Sequence, residues 1–198
     1  MISKRKSRQL TLGKLKICGG APVVVQSMTK TDTRDVAATV VQIKRLEKSG
    51  CEAIRVAVLN IEAAEAIRSI KKKIKIPLIA DVHFDHRLAL EAMASGADAL
   101  RINPGNIGSR QKVQEVVSAA KDKGIPIRIG VNAGSLEKEL LKKYGHPTAE
   151  ALVESAGRHI KILEDLKFRD IKVSLKASDV MKTVEAYRLF SKTYRYSL

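Results

Sequence analysis

The sequence predicts an α/β protein, an incomplete TIM-type (β/α) barrel with about six of the usual eight βα units. Short β-branched runs alternate with stretches of helical period, the pattern of parallel strands joined by crossover helices. Two segments, 50–55 and 96–101, repeat one pattern across two such units. No Gly-x-Gly-x-x-Gly turn follows the first strand, which favours a barrel over a doubly wound sheet.

Each predicted element follows from this alternation. The strands are expected at 22–27, 53–58, 77–82, 99–103, 127–132 and 171–175, and the helices at 35–49, 61–73, 86–95, 109–123, 148–166 and 179–192. Asn60 and Thr148 occupy N-cap positions, and Gly50, Gly96 and Gly124 follow helices as C-terminal glycines do. Because a closed barrel needs two more strands, we expect residues 1–198 to form one truncated barrel domain.

Composition restricts the partners. The formal net charge of +16 favours an anionic partner, which leaves nucleic acid, a membrane surface and a phosphorylated metabolite open. Cys18 and Cys51 are far apart and lack metal-ligand spacing, so no metal site is predicted. No apolar run approaches the roughly 20 residues of a spanning helix, and a soluble, cytoplasmic protein is expected. The Lys4–Lys6 and Lys71–Lys73 runs are interpreted as solvated surface.

Polar residues recur near the ends of successive strands at i, i+2 spacing, which places them on one face of a sheet. In a barrel, active sites are built at this end of the strands. The candidate substrate-binding residues are Arg55, Asp81, His83, Arg101, Asn103, Arg128, Asn132, Ser174 and Lys176.

These residues predict a cationic mouth that suits a phosphate or diphosphate ligand. A lone strand arginine is more often structural, but the same arrangement on four strands favours an anion site. Asp81 and His83 are the candidate catalytic pair, although a satisfied structural histidine is an equal alternative. The glycine-rich loop 103–108 is either a tight turn or a set of anion-binding amides. Cys18 and Cys51 are interpreted as small buried side chains, and His86, His146 and His159 receive no role.

Several strand ends resemble those of the 4-hydroxy-3-methylbut-2-enyl diphosphate synthase family. The segments that carry the resemblance are Val25-Gln26-Ser27-Met28-Thr29, Ala80-Asp81-Val82-His83-Phe84-Asp85, Arg101-Ile102-Asn103-Pro104-Gly105-Asn106-Ile107-Gly108, Arg128-Ile129-Gly130-Val131-Asn132-Ala133-Gly134-Ser135 and Ser174-Leu175-Lys176-Ala177-Ser178. The resemblance implies a barrel related to that of dihydropteroate synthase, with 2-C-methyl-D-erythritol 2,4-cyclodiphosphate bound at its mouth.

The resemblance also implies an oxidoreductase of isoprenoid (terpenoid) biosynthesis in the methylerythritol phosphate pathway. Such enzymes open the cyclic diphosphate with two electrons from ferredoxin or flavodoxin, delivered through a [4Fe-4S] cluster. The cluster is held in a separate C-terminal domain that caps the partner's barrel in a homodimer. Cys18 and Cys51 do not match the ligand motif of that domain, so this chain alone is expected neither to bind the cluster nor to turn over.

Two rival functions stay open at this point. A different phosphate-using barrel, such as a pterin or sugar-phosphate transferase, would have the same cationic mouth. A basic nucleic-acid-binding module would explain the net charge, but aromatic residues make up only 4% of the chain and leave little for base stacking.

Overall fold

The computed structural model describes residues 7–198, so the predicted basic arm at Lys4–Lys6 lies outside the described residues. Its centre is a parallel sheet of six strands, numbered from β3 because the two short strands β1 (Leu10–Leu12) and β2 (Leu15–Ile17) precede them in the chain. The six strands are β3 (Gln26–Met28), β4 (Ala53–Val58), β5 (Leu78–Val82), β6 (Ala99–Ile102), β7 (Ile127–Asn132) and β8 (Ile171–Lys176), and their order in the sheet is their order in the chain. Each strand pairs with the next one along the chain, as in a barrel, whereas the order of a doubly wound sheet reverses partway. The predicted incomplete barrel is confirmed.

Helices follow the strands and cover the outer face of the sheet. They are α1 (Val36–Lys48), α2 (Ile61–Lys71), α3 (His86–Ala94), α5 (Arg110–Asp122), α7 (Ala149–Asp165) and α8 (Val180–Thr193), together with the short α4 (Pro104–Ile107) and α6 (Lys138–Tyr144). The Asn60 and Thr148 side chains accept from Ala63 N and Ala151 N, so both predicted N-caps are confirmed.

Local chemistry moves some predicted boundaries. The first barrel strand was predicted at 22–27, but it begins only at Gln26, because Pro22 has no N–H and Val25 N donates to the Glu52 carboxylate at 2.8 Å. The fourth predicted strand ends at Ile102 instead of Asn103, whose side chain caps α4. The loop 103–108, interpreted as a turn or a set of amides, therefore contains a helical turn.

A β-hairpin that the sequence did not predict closes the N-terminal end of the sheet. Strands β1 (Leu10–Leu12) and β2 (Leu15–Ile17) pair antiparallel around Gly13, whose φ of +56° suits glycine. The hairpin side chains form a second apolar cluster with residues from the inner face of the sheet. Its buried members are Leu10, Leu12, Ile17, Ala53, Ile79 and Ala99. In β4, β5 and β6 the polar residues of the inner face consequently lie toward the other end of the strands.

The main core lies between the outer face of the sheet and the helices. Alternate strand residues such as Val56, Leu100 and Ile129 are fully buried there, as expected for strands that bury one face under helices. Within residues 7–198, none of the helices combines the length and apolar character needed to cross a membrane.

Two interpretations of surface and buried residues need correction. Lys71, taken as part of a solvated run, forms an ion pair with Asp98, whose carboxylate also accepts from Leu78 N at 2.7 Å. Only Lys72 and Lys73 of that run are exposed. Cys51 is buried as predicted, but Cys18 is only partly buried and has a left-handed φ of 61°.

Candidate functional site

Strand register brings the predicted polar residues onto one face. Asp81 of β5 pairs with Arg101 of β6, and Arg101 pairs with Arg128 of β7. In a parallel ladder, paired residues point to the same side of the sheet. These three side chains therefore lie side by side on the inner face. Asp81 and Arg101 lie near the C-terminal ends of β5 and β6, where barrel enzymes place their sites. Arg128, which was predicted toward the C-terminal end of its strand, is instead the second residue of β7.

The Asp81 carboxylate is the centre of this cluster. It is 4% exposed. Its oxygens lie 3.4 Å from Arg55 Nη1, 3.1 Å from Arg101 Nη1 and 3.3 Å from His83 Nε2. Arg101 Nη1 is also 3.1 Å from His83 Nε2. One carboxylate thus orients two guanidinium groups and an imidazole, and a positive charge remains unbalanced.

Arg128 adds a second unbalanced charge. No ion pair to Arg128 is formed by any acidic side chain within residues 7–198, and its Nε is buried without an acceptor. Burial lowers the pKa of Arg128 to about 10, and repulsion by Arg55 and Arg101 adds to the effect, while Asp81 partly offsets it. The Nε groups of Arg55 and Arg101 are also buried without acceptors among the described residues. Three neighbouring guanidinium groups therefore present donors that an anionic ligand would satisfy.

Gly130 allows Arg101 to reach this position. A Cβ atom at residue 130 would lie only 2.3 Å from Arg101 Nε, so the guanidinium crosses directly over the glycine. The sequence did not predict that Gly130 makes room for Arg101. Its role depends on contact between neighbouring strands, which no single-strand pattern contains.

Asn103 and Asn132 hold the loops that follow their strands. Asn103 Oδ1 accepts from Gly105 N at 3.1 Å, and Asn132 Oδ1 accepts from Gly134 N at 3.3 Å. Because each carbonyl oxygen serves the loop, the –NH2 group of each side chain is the part that can donate to a ligand.

Ser174 and Lys176 lie farther along the rim. Ser174 pairs with Gly130 and Lys176 pairs with Asn132, so both point to the same side as the arginines. Ser174 is half-buried and Lys176 is exposed. Neither is joined to the arginine cluster by a hydrogen bond or ion pair within the described part of the chain.

Lys172 is an inner-face residue that the sequence analysis missed. It pairs with Arg128 in register. Burial lowers the pKa of Lys172; Cys18 opposes this shift and Arg128 adds to it. The search for polar residues at strand ends passed over Lys172 because it lies at the start of β8.

Metal ligands are not grouped in the described residues. Among residues 7–198, no three His, Cys, Asp or Glu side chains are placed to hold a metal ion. Cys51 Sγ instead donates to Ala53 O at 3.1 Å. These residues do not fit an iron–sulphur cluster, which needs several thiolate ligands.

Comparison with known proteins identifies the family. Residues 7–198 match the GcpE TIM-barrel domain. The chain belongs to this family. A similar relative is the flavodoxin-dependent 4-hydroxy-3-methylbut-2-en-1-yl diphosphate synthase of Thermodesulfovibrio yellowstonii, 66% identical over 100% of this chain and 57% of the relative. The enzyme of the same name from Halalkalibacterium halodurans is 62% identical over 98% of this chain and 53% of the relative. The GcpE barrel described here thus spans about half the length of these relatives.

Solved structures support the fold. Dihydropteroate synthase from Vibrio fischeri superposes with a TM-score of 0.62 over 94% of this chain and 73% of that chain, at 13% identity. The Yersinia pestis enzyme gives 0.60 over 91% and 68%, at 14% identity. The resemblance of the GcpE barrel to the dihydropteroate synthase fold is therefore confirmed.

Proposed function

We propose that the mouth of this barrel binds 2-C-methyl-D-erythritol 2,4-cyclodiphosphate. The chain would then be the substrate-binding part of a 4-hydroxy-3-methylbut-2-en-1-yl diphosphate synthase, which opens the cyclic diphosphate to 4-hydroxy-3-methylbut-2-enyl diphosphate. The observation that carries the proposal is the buried Arg128 guanidinium, which has no acidic partner among the described residues and lies beside Arg55 and Arg101. The names of the relatives give the product, 4-hydroxy-3-methylbut-2-en-1-yl diphosphate, and the cyclodiphosphate is the substrate that the family resemblance implies.

The proposed roles follow from the geometry. Arg55, Arg101 and Arg128 bind the two phosphoryl groups, and Lys176 adds a mobile charge at the rim. Asn103, Asn132 and Ser174 donate to substrate oxygens. Asp81 holds Arg55 and Arg101 in place, and His83, whose Nε2 lies 3.3 Å from Asp81, orients a substrate hydroxyl or transfers a proton. The chain's contribution is positional and electrostatic, since the bound diphosphate fixes the carbon–oxygen bond that breaks.

The redox half of the reaction needs groups other than the described residues. The two relatives are named as flavodoxin-dependent, and we propose flavodoxin as the electron donor, with ferredoxin as the alternative. A [4Fe-4S] cluster would supply one-electron chemistry, but none of its ligands is assigned to residues 7–198. We place the assembled enzyme in the cytoplasm as a homodimer.

Calorimetric titration tests the proposal directly. The 198-residue chain is titrated with the cyclodiphosphate, alongside the variants Arg101→Ala, Arg128→Ala and Lys72→Ala. Either mouth variant is expected to weaken binding at least thirtyfold, about 2 kcal/mol, because it removes a charge-assisted contact. Lys72 is exposed beyond the end of α2, and its replacement should leave the affinity within about twofold.

A second titration distinguishes the rival barrel function. A pterin diphosphate that binds more tightly than the cyclodiphosphate would identify a pterin transferase. Equal, small losses for all three alanine variants would show that the mouth is not the binding site.

A further inference from the structure

A buried histidine joins the two loops that carry the site asparagines. His159 of α7 is 3% exposed. Its Nε2 lies 3.1 Å from Glu137 Oε1, and Ser155 Oγ donates to the same oxygen at 3.1 Å. Glu137 directly precedes α6, in the loop that begins after Asn132. The Glu137 end of this pair, whose side chain is 30% exposed, therefore belongs to the Asn132 loop.

The other side of the His159 ring contacts the Asn103 loop. A Cβ atom at Gly105 would lie 2.7 Å from His159 Cε1, so the ring packs against the backbone of α4 at a position that tolerates only glycine. Gly105 N is the group that donates to Asn103 Oδ1. The ring thus supports the peptide group that fixes the Asn103 side chain.

Burial of a histidine and a carboxylate costs free energy that an apolar pair would avoid. Partial burial raises the pKa of Glu137, but the adjacent His159 ring, the Glu137 backbone and the Ser155 hydroxyl outweigh it and hold the pKa at about 2. The contact between His159 Nε2 and Glu137 Oε1 is a close polar approach without hydrogen-bond geometry. The exposed ion pairs of the chain, such as Arg158 with Glu139, stay on the surface. The polar pair is therefore retained at a position of α7 from which His159 contacts both asparagine loops.

We propose that His159 and Glu137 are a positioning pair, which fixes the Asn103 and Asn132 side-chain amides relative to each other at the mouth of the barrel. The inference deepens the proposed function and rests on it for the identity of the ligand. His159 does not touch the ligand. Its effect passes through Gly105 to Asn103 and through Glu137 to Asn132.

Four variants of the 198-residue chain test the pair. His159→Leu removes the polar link and keeps much of the volume, whereas His159→Gln keeps a donor that can reach Glu137. Leu163→Ala, at a fully buried position of α7 one turn farther along, is the control for general loss of stability. Asn103→Ala removes the amide on which His159 is proposed to act.

The first readout is amide hydrogen exchange by NMR, which needs no ligand. His159→Leu is expected to speed exchange at Gly105 N–H and Gly134 N–H at least tenfold relative to Leu163→Ala, and His159→Gln should restore most of the protection. Unchanged exchange at both amides in His159→Leu would overturn the inference, whether or not the chain binds the cyclodiphosphate.

The second readout is affinity for the cyclodiphosphate. His159→Leu should weaken binding about tenfold in the wild-type background and only about threefold in the Asn103→Ala background, because Asn103 is one of the two asparagines through which His159 acts. An equal loss in both backgrounds would make His159 merely structural and overturn the inference. Absence of binding by the wild-type chain would instead contradict the proposed function, and the exchange rates would still decide on the pair.

Discussion

At the scale of single residues, the site depends on one glycine as much as on its arginines. Gly130 lies under the Arg101 guanidinium, and Arg101 reaches both Asp81 and His83 from that position. Any side chain at residue 130 would have to displace either Arg101 or strand β7. Arg101 is the flexible partner, so it would move.

Gly130→Ala should therefore weaken cyclodiphosphate binding by at least tenfold, about 1.4 kcal/mol. The expected cause is displacement of Arg101 from Asp81, because an alanine Cβ would lie 2.3 Å from Arg101 Nε. The measurement is calorimetric titration at matched protein concentration and ionic strength, with circular dichroism to verify the fold.

Gly134→Ala is the matched control in the same segment. The nearest atom to a Cβ at that position is 4.0 Å away, so the added methyl meets ordinary contact and the affinity should change less than twofold. If Gly130→Ala bound as tightly as Gly134→Ala, the placement of Arg101 over the glycine would be wrong.

The sequence predicted the site residues that follow the period of a single strand, but not the residues whose role depends on contact with a neighbouring strand or helix. The i, i+2 spacing brought out Asp81 with His83 and Arg101 with Asn103, because strand periodicity alone puts such pairs on one face. The roles of Gly130 and His159 depend on which strand or helix lies next to them in space. Lys172 had the right periodicity, but it lies at the start of β8, and only the strand register places it beside Arg128.

At the scale of elements, the hairpin β1–β2 and the short helices α4 and α6 were absent from the predicted elements. Each strand of the hairpin has only three residues, which is too short for a period-of-two pattern to stand out. The six longer helices were predicted to within a few residues, since their apolar faces and N-caps are encoded locally.

The hairpin should contribute to stability without contributing to ligand binding. Leu12 is 4% exposed in the cluster that closes the N-terminal end of the sheet. Leu12→Ala is expected to lower the free energy of unfolding by about 2–3 kcal/mol, from lost burial and the cavity left behind. Urea denaturation measures this loss.

Val41→Ala serves as the comparison, because Val41 is 69% exposed on α1 and its truncation should cost no more than about 0.5 kcal/mol. Cyclodiphosphate affinity under native conditions should be the same in both variants and the wild type. A loss of affinity confined to Leu12→Ala would show that the hairpin affects the ligand site at the mouth as well as the N-terminal end of the sheet.

The link between α6 and α7 should make stability depend on acid. The pKa of Glu137 is lowered from 4.5 to about 2 in the fold, so its contribution is fully present above the unfolded pKa and is lost as pH falls toward 2. We expect Glu137→Gln to be about 1–2 kcal/mol less stable than the wild type at neutral pH, after allowance for its partial exposure.

Urea denaturation at several pH values between neutral and 2 measures the difference between the two proteins. The difference in unfolding free energy between the wild type and Glu137→Gln should shrink below pH 4.5 and vanish near pH 2. The other carboxylates are present in both proteins, so their effects cancel in this difference. Glu185→Gln, an exposed change on α8, should track the wild type throughout. A Glu137→Gln deficit that stayed constant with pH would indicate lost packing instead of a lost ionic contact.

At the scale of the whole molecule, positive charge is found at both ends of the described sheet. Arg101 of the arginine cluster lies near the C-terminal end of β6. Lys72 and Lys73 follow α2, and Lys121 and Lys123 lie at the end of α5. Because crossover helices run opposite to the strands, these four lysines lie at the N-terminal end of the sheet. The ends are separated by the length of a helix such as α2, about 16 Å, roughly twice the Debye length of about 8 Å at physiological salt.

Charge at the far end should therefore matter for nonspecific contact with polyanions and not for the cyclodiphosphate. Replacing Lys72, Lys73, Lys121 and Lys123 together with glutamine removes four charges and lowers the formal net charge from +16 to +12. Retention on heparin or RNA should fall to a lower salt concentration, since that binding follows the number of accessible cations. Cyclodiphosphate affinity should stay within about threefold, because the removed charges are screened at that distance.

Arg101→Ala removes only one charge, yet it should have the opposite pattern: nearly unchanged heparin retention and a loss of cyclodiphosphate affinity of about thirtyfold or more. Opposite effects of the two variants would show that cyclodiphosphate binding depends on oriented guanidinium groups at the mouth and not on net charge. If the four-lysine variant lost cyclodiphosphate and RNA in parallel, binding would follow bulk charge, and a basic nucleic-acid-binding module would explain this chain better than a metabolite site.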